Sequence, residues 1–457
     1  MRHPSCDGRG LAIRRRAGWT EAVLRVLGIG SRIDLGDLYL ALMREGHEVR
    51  VHAGDPSYAG CFAGLLDPMV DWRSELGWVG RDGLVLFEKV GRGAEQDTLR
   101  AEGYQVIGGS ALGDRLEYDR AFGQAMLQDA GLQIAASYPF SSPEDAAAWL
   151  KQHPGRTVLK HDNNARATFV GDHRQGADVL FQLSRTPPGR VMLMERLEGV
   201  EVGVGAYFDG QMFLRPACID FEHKRFFPGE MGEMTGEMGT LLSYEGADAL
   251  FDATLGRIAP QLAAARHIGY VNLNMIANEA GLWPLEFTCR FGNPGFAVLA
   301  PLQPDGWGDL LGRMMRGNAK GFSTAPGWSI GIVLTVPGFP EEQPGADPAA
   351  DPPVFFHEPP DGAELAHYHF SDMRREAGQL FARRRTGYAM VVTGTGATVQ
   401  QAQAQATTRA RNVVIPDLRW RTDIGDRFLA GEGARLARLG WLAPLGIAAA
   451  DVQANAA

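Results

Sequence analysis

Two hydrophobic periods alternate along the chain. Residues 23–29, "VLRVLGI", are nearly continuous in apolar character, as expected of a strand covered on both faces. A glycine turn follows. Leu35, Leu38 and Leu42 then recur at helical spacing, and Val49 and Val51 open a second strand. This order predicts a βαβ unit with parallel strands. A strand at 84–87, a helix near 96–102 and a strand at 105–107 continue the alternation. Residues 23–112 are therefore expected to form a small doubly wound N-terminal domain of α/β class.

From Asp119 the pattern changes. Helices are expected at 120–130 and 143–151, around the segment "GLQIAASYPF". The strand "TVLKHD", a loop, a helix and the strand "RVMLMERL" follow, whereas "HKRFFPGEMGEMTGEMG" carries little strand signal. Phe251, Leu255, Ile258 and Leu262 lie at helical spacing and predict a helix over 250–266. Two strands, "YVNLNMIA" and "LWPLEFTC", meet through a turn at 278–281. The run "PEEQPGADPAADPP" suits an exposed loop between strands at 330–336 and 354–357. The last block pairs the strand "YAMVVTGTG" with a helix at 398–413, an α+β pattern. The chain divides on this reading into a disordered extension (1–22), the N-terminal domain (23–112), a central domain (113–324), an α+β C-terminal domain (325–432) and a tail (433–457).

Composition narrows the partners. Hydrophobic residues make up 45% of the 457 and charged residues 22%, an ordinary globular balance. The formal net charge of -9 offers no general attraction to nucleic acid or an anionic membrane, so small-molecule substrates are the expected partners. Cys6, Cys61, Cys218 and Cys289 are far apart and show no metal-ligand spacing, which fits free thiols in a reducing, cytoplasmic setting. No apolar run reaches the roughly 18 residues of a membrane span. A monomer or small homo-oligomer is expected.

Chemistry concentrates on the hairpin. Asn274 lies on one strand, with Glu286 twelve residues on and Thr288 two further. Alternate strand residues share a face, so three oxygen-bearing side chains can converge there. Such a set suits a hard cation such as Mg²⁺ that also holds phosphates, with Arg290 able to fork onto a phosphate. The same residues would also make a plain polar strand rim with one salt bridge. Lys160 ends an apolar strand before a loop of small residues, a place suited to phosphate. Glu195, Leu197 and Glu201 follow in "MERLEGVEV", a segment able to offer backbone groups to a base and a carboxylate to sugar hydroxyls. His223, Lys224 and Arg225 could cradle an anion, though solvated charge runs are commoner. Gly28 and Gly30 lack the third glycine of a dinucleotide fingerprint, which disfavours an oxidoreductase.

In their order along residues 23–430, these segments resemble phosphoribosylamine–glycine ligase (glycinamide ribonucleotide synthetase), a purine-pathway family of the ATP-grasp superfamily. The resemblance is carried by "LEFTCRFGNPG", "FEHKR", "MTGEMGT", "LEGVEV", "YAMVVTGTGATVQQAQAQA" and "RTDIG". It implies a two-lobed ATP-grasp core at 113–324 and an ATP- and Mg²⁺-dependent (or Mn²⁺-dependent) carboxylate–amine ligase acting through an acyl phosphate. By the same resemblance, Glu195 and the Leu197 backbone would hold adenine and Glu201 the ribose. Lys160 and Arg120 would contact phosphates. Glu286, Thr288 and Asn274 would hold the metal, and Arg290, Lys224 and Arg225 would serve the transferred phosphoryl group.

The chain departs from that family at both substrate ends. In "KHDNNARATFV" the family's glycines become Asn163, Ala167 and Phe169, and its second lysine becomes Thr168, with Arg166 as a possible substitute. Fewer glycines mean fewer backbone N–H groups able to approach a phosphate. Glu237 interrupts a Gly-Gly-Met-Gly segment. The N-terminal turn "GSRIDLG" keeps only Gly30 and Arg32, with Ile33 and Asp34 in place of Glu and His, and "FEKVGRG" replaces a Gly-Pro-Glu loop. Two alternatives therefore stand beside the housekeeping enzyme: a ligase with another amine acceptor in specialised metabolism, and a non-catalytic nucleotide-binding homologue.

Overall fold

The computed structural model describes residues 23–443 except 59, 67, 70, 162–167, 318–320 and 344. The expectations for 1–22, for the end of the tail, and for Cys6, Asn163, Arg166 and Ala167 lie outside these residues.

Five parallel strands form the first sheet, in the order Pro68–Met69, Glu48–Ala53, Arg25–Gly30, Leu84–Phe87, Gln105–Ile107. The βαβ reading explains why. The apolar strands are covered on both faces: Leu27, Ile29, Val85 and Phe87 pack with Trp72 on one side. Val26, Leu84 and Leu86 face the other side, where Leu35, Leu38 and Leu42 join them in the main core. Alternation of side chains across the strands makes this division.

An eight-stranded antiparallel sheet forms the centre. Its order is Gly281–Thr288, Ile268–Asn278, Val200–Asp209, Cys218–Glu222, Gly239–Ser243, Trp328–Thr335, Tyr388–Gly396, Tyr368–Phe370. The proposed division near residue 325 thus falls between strands of one continuous sheet. A separate lobe carries the four strands Ser137–Phe140, Val191–Glu195, Thr157–His161 and Phe169–Val170. Two helices, Pro143–Gln152 and Ala177–Ser184, cover it. Its core of Ala146, Leu150, Leu159, Val179, Leu183, Val191 and Leu193 is distinct from the main core. Two bodies with separate cores leave a cleft between them.

Three expectations are corrected. The helix expected at 250–266 is broken into Asp248–Ala253, a 3-10 turn Leu255–Ile258 and Ala259–Ala264. Thr254 leaves helical geometry (φ -132°, ψ -93°) and Pro260 enters at the start of the last piece, where it needs no N–H partner. The four apolar residues are nevertheless all buried, so the periodicity identified the face and not the continuity. Within "HKRFFPGEMGEMTGEMG", strands Arg225–Phe227 and Met231–Met234 pair as a hairpin, its turn admitted by Gly229 at φ 72°. A helix at Ala111–Tyr118, capped by the Ser110 hydroxyl, stands where no element was expected.

Among the described residues, no helix is long and apolar enough to cross a membrane, and Cys61, Cys218 and Cys289 are buried free thiols.

Candidate active site

The cleft between the lobe and the central sheet measures about 630 Å³. Val158, Val170, Met194, Leu197, Ile276 and Leu285 give it an apolar slot, and Arg120, Lys160, Lys224 and Arg290 bring cations to one end. Glu195, Glu201, Glu286 and Thr288 also line it, so nine of the residues singled out by sequence meet here. Asn274 and Arg225 are not among the lining residues.

Strand register places the hairpin chemistry. Asn274 pairs directly with Glu286, and Asn272 with Thr288. Glu286 is not waiting alone for a cation, as a bare buried carboxylate would be. Arg120 Nη1 lies 2.7 Å from its Oε2, and Lys224 Nζ lies 3.5 Å from its Oε1. Burial alone would raise its pKa. Lys224, Lys160 and Arg120 outweigh that and hold the carboxyl well below the usual range.

Lys224 is the hub of the cleft floor. Its Nζ sits 3.0 Å from Glu222, 3.1 Å from Glu201 and 3.5 Å from Glu286. Burial opposes its charge, but the three carboxylates prevail and raise its pKa well above the ordinary value. Asn274 stands behind this hub: its Nδ2 donates to Glu201 (3.0 Å) and Glu222 (3.3 Å). Among the described residues its buried Oδ1 has no hydrogen-bond partner, and a buried polar atom left so asks for a ligand.

Lys160 differs from the other cations. It is 6% exposed, and among the described residues no carboxylate lies within ion-pair distance of it. Burial pulls its pKa down to about 8, with Arg120 and Lys224 adding to the effect and Glu286 opposing it. Arg290 is tied to the helix the sequence did not predict: Glu117 accepts from Arg290 Nε at 3.3 Å and from the Cys289 N–H at 2.8 Å.

Arg225 is a correction. Its guanidinium turns away and donates to the Gly232 carbonyl at 2.7 Å, bracing the hairpin. Lys224, just before the strand Arg225–Phe227, faces the cleft, whereas Arg225 at the strand's start turns outward. His223 is structural as well, 1% exposed, with its Nε2 accepting from the Gly425 N–H at 3.3 Å.

Sequence reasoning missed Glu222 and Glu117 as partners, and missed what "RTDIG" does. Arg421 is fully buried; it donates to the Arg225 carbonyl (2.9 Å) and pairs with Glu230 and Asp423 (2.7 Å each). Asp423 accepts from the Gly229 N–H at 2.8 Å. The motif clamps the hairpin that presents Lys224. Nothing local in "RTDIG" identifies so distant a partner.

A two-lobed α/β body with an apolar slot and a cationic end defines the class. Residues 118–296 match the sequence profile described as the phosphoribosylglycinamide synthetase ATP-grasp (A) domain. The chain is 27% identical to the phosphoribosylamine–glycine ligase of Leifsonia xyli subsp. xyli, over 88% of this chain and 99% of that protein. It is also 27% identical to the Nostoc sp. enzyme of the same name, over 72% and 80% respectively. The solved phosphoribosylamine–glycine ligase of Thermotoga maritima superposes with a TM-score of 0.68 at 20% identity, covering 88% of this chain and all of that one. A Campylobacter jejuni biotin carboxylase gives 0.57 at 12% identity, covering 90% and 96%. Over residues 118–296 the chain thus matches an ATP-grasp domain, and its fold is that of these solved structures. Along most of its length it is similar, at 27% identity, to the phosphoribosylamine–glycine ligases.

Proposed function

We propose that the protein is an ATP-dependent carboxylate–amine ligase that forms a C–N bond through an acyl phosphate. The observation that carries this reading is Lys160: a nearly buried ammonium without an ion pair among the described residues, set with Arg120, Lys224 and Arg290 beside an apolar slot. A triphosphate would supply the missing negative charge, and a flat base would fill the slot between Val158, Met194 and Ile276. Glu195 and the Leu197 backbone would meet the base, and Glu201 the ribose.

In this reading a substrate carboxylate attacks the γ-phosphorus and ADP leaves. An amine then attacks the acyl carbon, phosphate departs with the bonding pair, and the amine's surplus proton passes to solvent or phosphate. Lys160, Arg120 and Arg290 hold the phosphates in line and offset charge as it develops. Arg290, anchored on Glu117, is placed without needing to reorganise.

The donor set fits Mg²⁺ (or Mn²⁺) carried in with the nucleotide: the Glu286 carboxylate, the unpartnered Asn274 Oδ1 and the Thr288 hydroxyl on paired strands. Mg²⁺ is often held by one or two carboxylates plus phosphate oxygens, and it would supply charge neutralisation there. The amine acceptor is proposed to be other than phosphoribosylamine, because Ile33 is buried and Asp34 is engaged by Lys89 where the family has Glu and His.

The test is phosphate release from Mg-ATP with amino acids and amines, run beside ribose 5-phosphate with ammonia and glycine. Amino-acid-dependent release supports the ligase. Nucleotide binding with no release under any pairing would favour the non-catalytic alternative, and glycinamide ribonucleotide formation at the rate of an authentic enzyme would overturn the acceptor reading.

A further inference from the structure

A second cavity of about 140 Å³ adjoins the cleft. Phe339 and Pro340 line both spaces and form the partition between them. The volume is well under the ~300–1,000 Å³ of sites that enclose larger ligands. Its other walls come from the N-terminal turn at Arg32, Ile33 and Asp34, from Asn293, and from the segment between Ser371 and Tyr388.

A phosphate ester would need an uncommitted cation or a set of open backbone N–H groups. The cations around it already face carboxylates. Arg32 Nη1 donates to Glu342 Oε1 at 2.6 Å, and Arg385 approaches the same carboxylate at 3.9 Å. The Tyr58 hydroxyl donates to it too. Lys89 lies 2.8 Å from Asp34, and Arg383 3.0 Å from Asp372. The glycine turn is filled in the same manner. Glu88, 1% exposed, packs so closely that a Cβ on Gly30 would fall 2.0 Å from its Oε2. The Asp34 N–H donates to that same oxygen at 3.0 Å. The place where a phosphate would meet this turn is filled by the protein's own Glu88 carboxyl, whose pKa burial and Asp34 push up to about 8.

We infer that this cavity takes a small polar molecule of no net charge, of amino-acid size, and excludes phosphate esters, with Glu342 as the specificity-determining residue. Ser371 and Asn293 offer neutral polar groups to such a guest, while the Thr386 hydroxyl is held by Asp372 and the Tyr388 N–H. That the guest is one of the two reactants rests on the ligase reading, with Phe339 and Pro340 lining both the cavity and the cleft.

The experiment is thermal shift and calorimetry without nucleotide, using glycine, alanine, serine and β-alanine against ribose 5-phosphate at millimolar concentration. At least one amino acid should bind wild-type protein and ribose 5-phosphate should not. Glu342→Gln keeps an acceptor for Tyr58 while releasing Arg32, and should raise ribose 5-phosphate affinity by about tenfold, as expected of one charge-assisted contact. Adding Arg32→Gln to that variant should abolish the gain, and the unliganded melting temperature reports whether each variant folds. Silence across the amino acids, wild-type binding of ribose 5-phosphate at equal strength, or no gain in folded Glu342→Gln would each overturn the inference. A parallel ATP titration decides the ligase reading by itself: absent nucleotide binding sinks that reading, while the cavity stands or falls on its own result.

Discussion

The cleft and the adjoining cavity use the same residue types in opposite ways. In the cleft, no carboxylate among the described residues forms an ion pair with buried Lys160, and the Glu286 charge it feels is held by Arg120 and Lys224. Around the cavity, Arg32 and Arg385 share Glu342, Lys89 pairs with Asp34 and Arg383 with Asp372. Counting basic residues would rank the two alike. What separates them is commitment: unmatched charge stores a demand for an anion, whereas matched pairs close the site to one. The difference can be broken by removing a counter-charge from one side or a cation from the other.

The largest effect is expected at Glu286. Glu286→Gln preserves volume but strips the charge on which Arg120, Lys224 and Lys160 converge, and the charge that a nucleotide-borne metal would need. Phosphate release should fall by about 100-fold or more, in line with losing a single preorganised electrostatic partner. Stability without nucleotide should fall as well, by about 1–3 kcal/mol, a buried-pair value reduced because the side chain is 35% exposed. Removing an uncompensated buried carboxylate would leave stability unchanged or raise it. The ion pairs reverse that sign. Because the carboxyl is held below its usual range, its contribution is present above the ordinary carboxylate pKa and lost as pH falls through the folded-state value. Denaturant melts of both proteins at neutral pH, with a phosphate-release assay, check both halves.

Next comes Lys160. Lys160→Ala should weaken ATP binding by about 1.5–3 kcal/mol, the range for a charge-assisted contact, while leaving the cavity's ligands unaffected. pH sharpens this. Its folded-state pKa of about 8 lies below the ordinary lysine value, chiefly through burial. The protonated form is the one that binds phosphate, so ATP affinity should decline as pH rises above about 8, and Lys160→Arg should flatten that decline. In the free protein the unfolded chain holds more protons than the folded one between about 8 and the ordinary lysine range. Stability from this group therefore rises with pH across that window, and charging Lys160 below it is a cost the nucleotide relieves. Calorimetric titrations at three pH values would settle it; a flat wild-type profile removes Lys160 from the phosphate site.

How much of this was legible depends on how local each signal is. That Asn274 and Glu286 lie side by side could be read because a tight turn brings the two strands together, although a bulge between Asn274 and Met275 shifts the turn-set register by one residue to put Glu286 opposite Asn274. The parallel N-terminal sheet was equally plain, since its apolar strands and helical stripe are contiguous. Which side a residue faces within a short irregular hairpin was not, so Arg225 was assigned with Lys224. Glu342 was hidden more deeply. It sits in a Pro- and Ala-rich loop whose composition suggests only exposure, yet it meets Tyr58 across a separation of 284 residues. Glu117 was obscured likewise, because a short helix with few apolar positions hardly shows a period. Composition describes a segment's solvent preference; it does not name the distant charge that will find it.

The smallest effect is expected at Arg225, and its value is as a contrast to Lys224 one residue away. Arg225 donates one hydrogen bond to the Gly232 carbonyl near the surface. The hairpin has further supports that the substitution leaves intact: Arg421 Nη1 holds the Arg225 carbonyl, and Asp423 holds the Gly229 N–H. Arg225→Ala should therefore lower stability by about 0.5–1.5 kcal/mol, the ordinary net worth of one such bond. Phosphate release should change by less than about threefold, since that bond contributes to the hairpin and not to charge in the cleft. Lys224→Ala should behave differently, because it leaves Glu201, Glu222 and Glu286 facing one another without their shared cation. Melting temperature and kcat/KM measured for the two variants together give the comparison its finest resolution: equal losses of activity would place Arg225 back among the groups that act on phosphate.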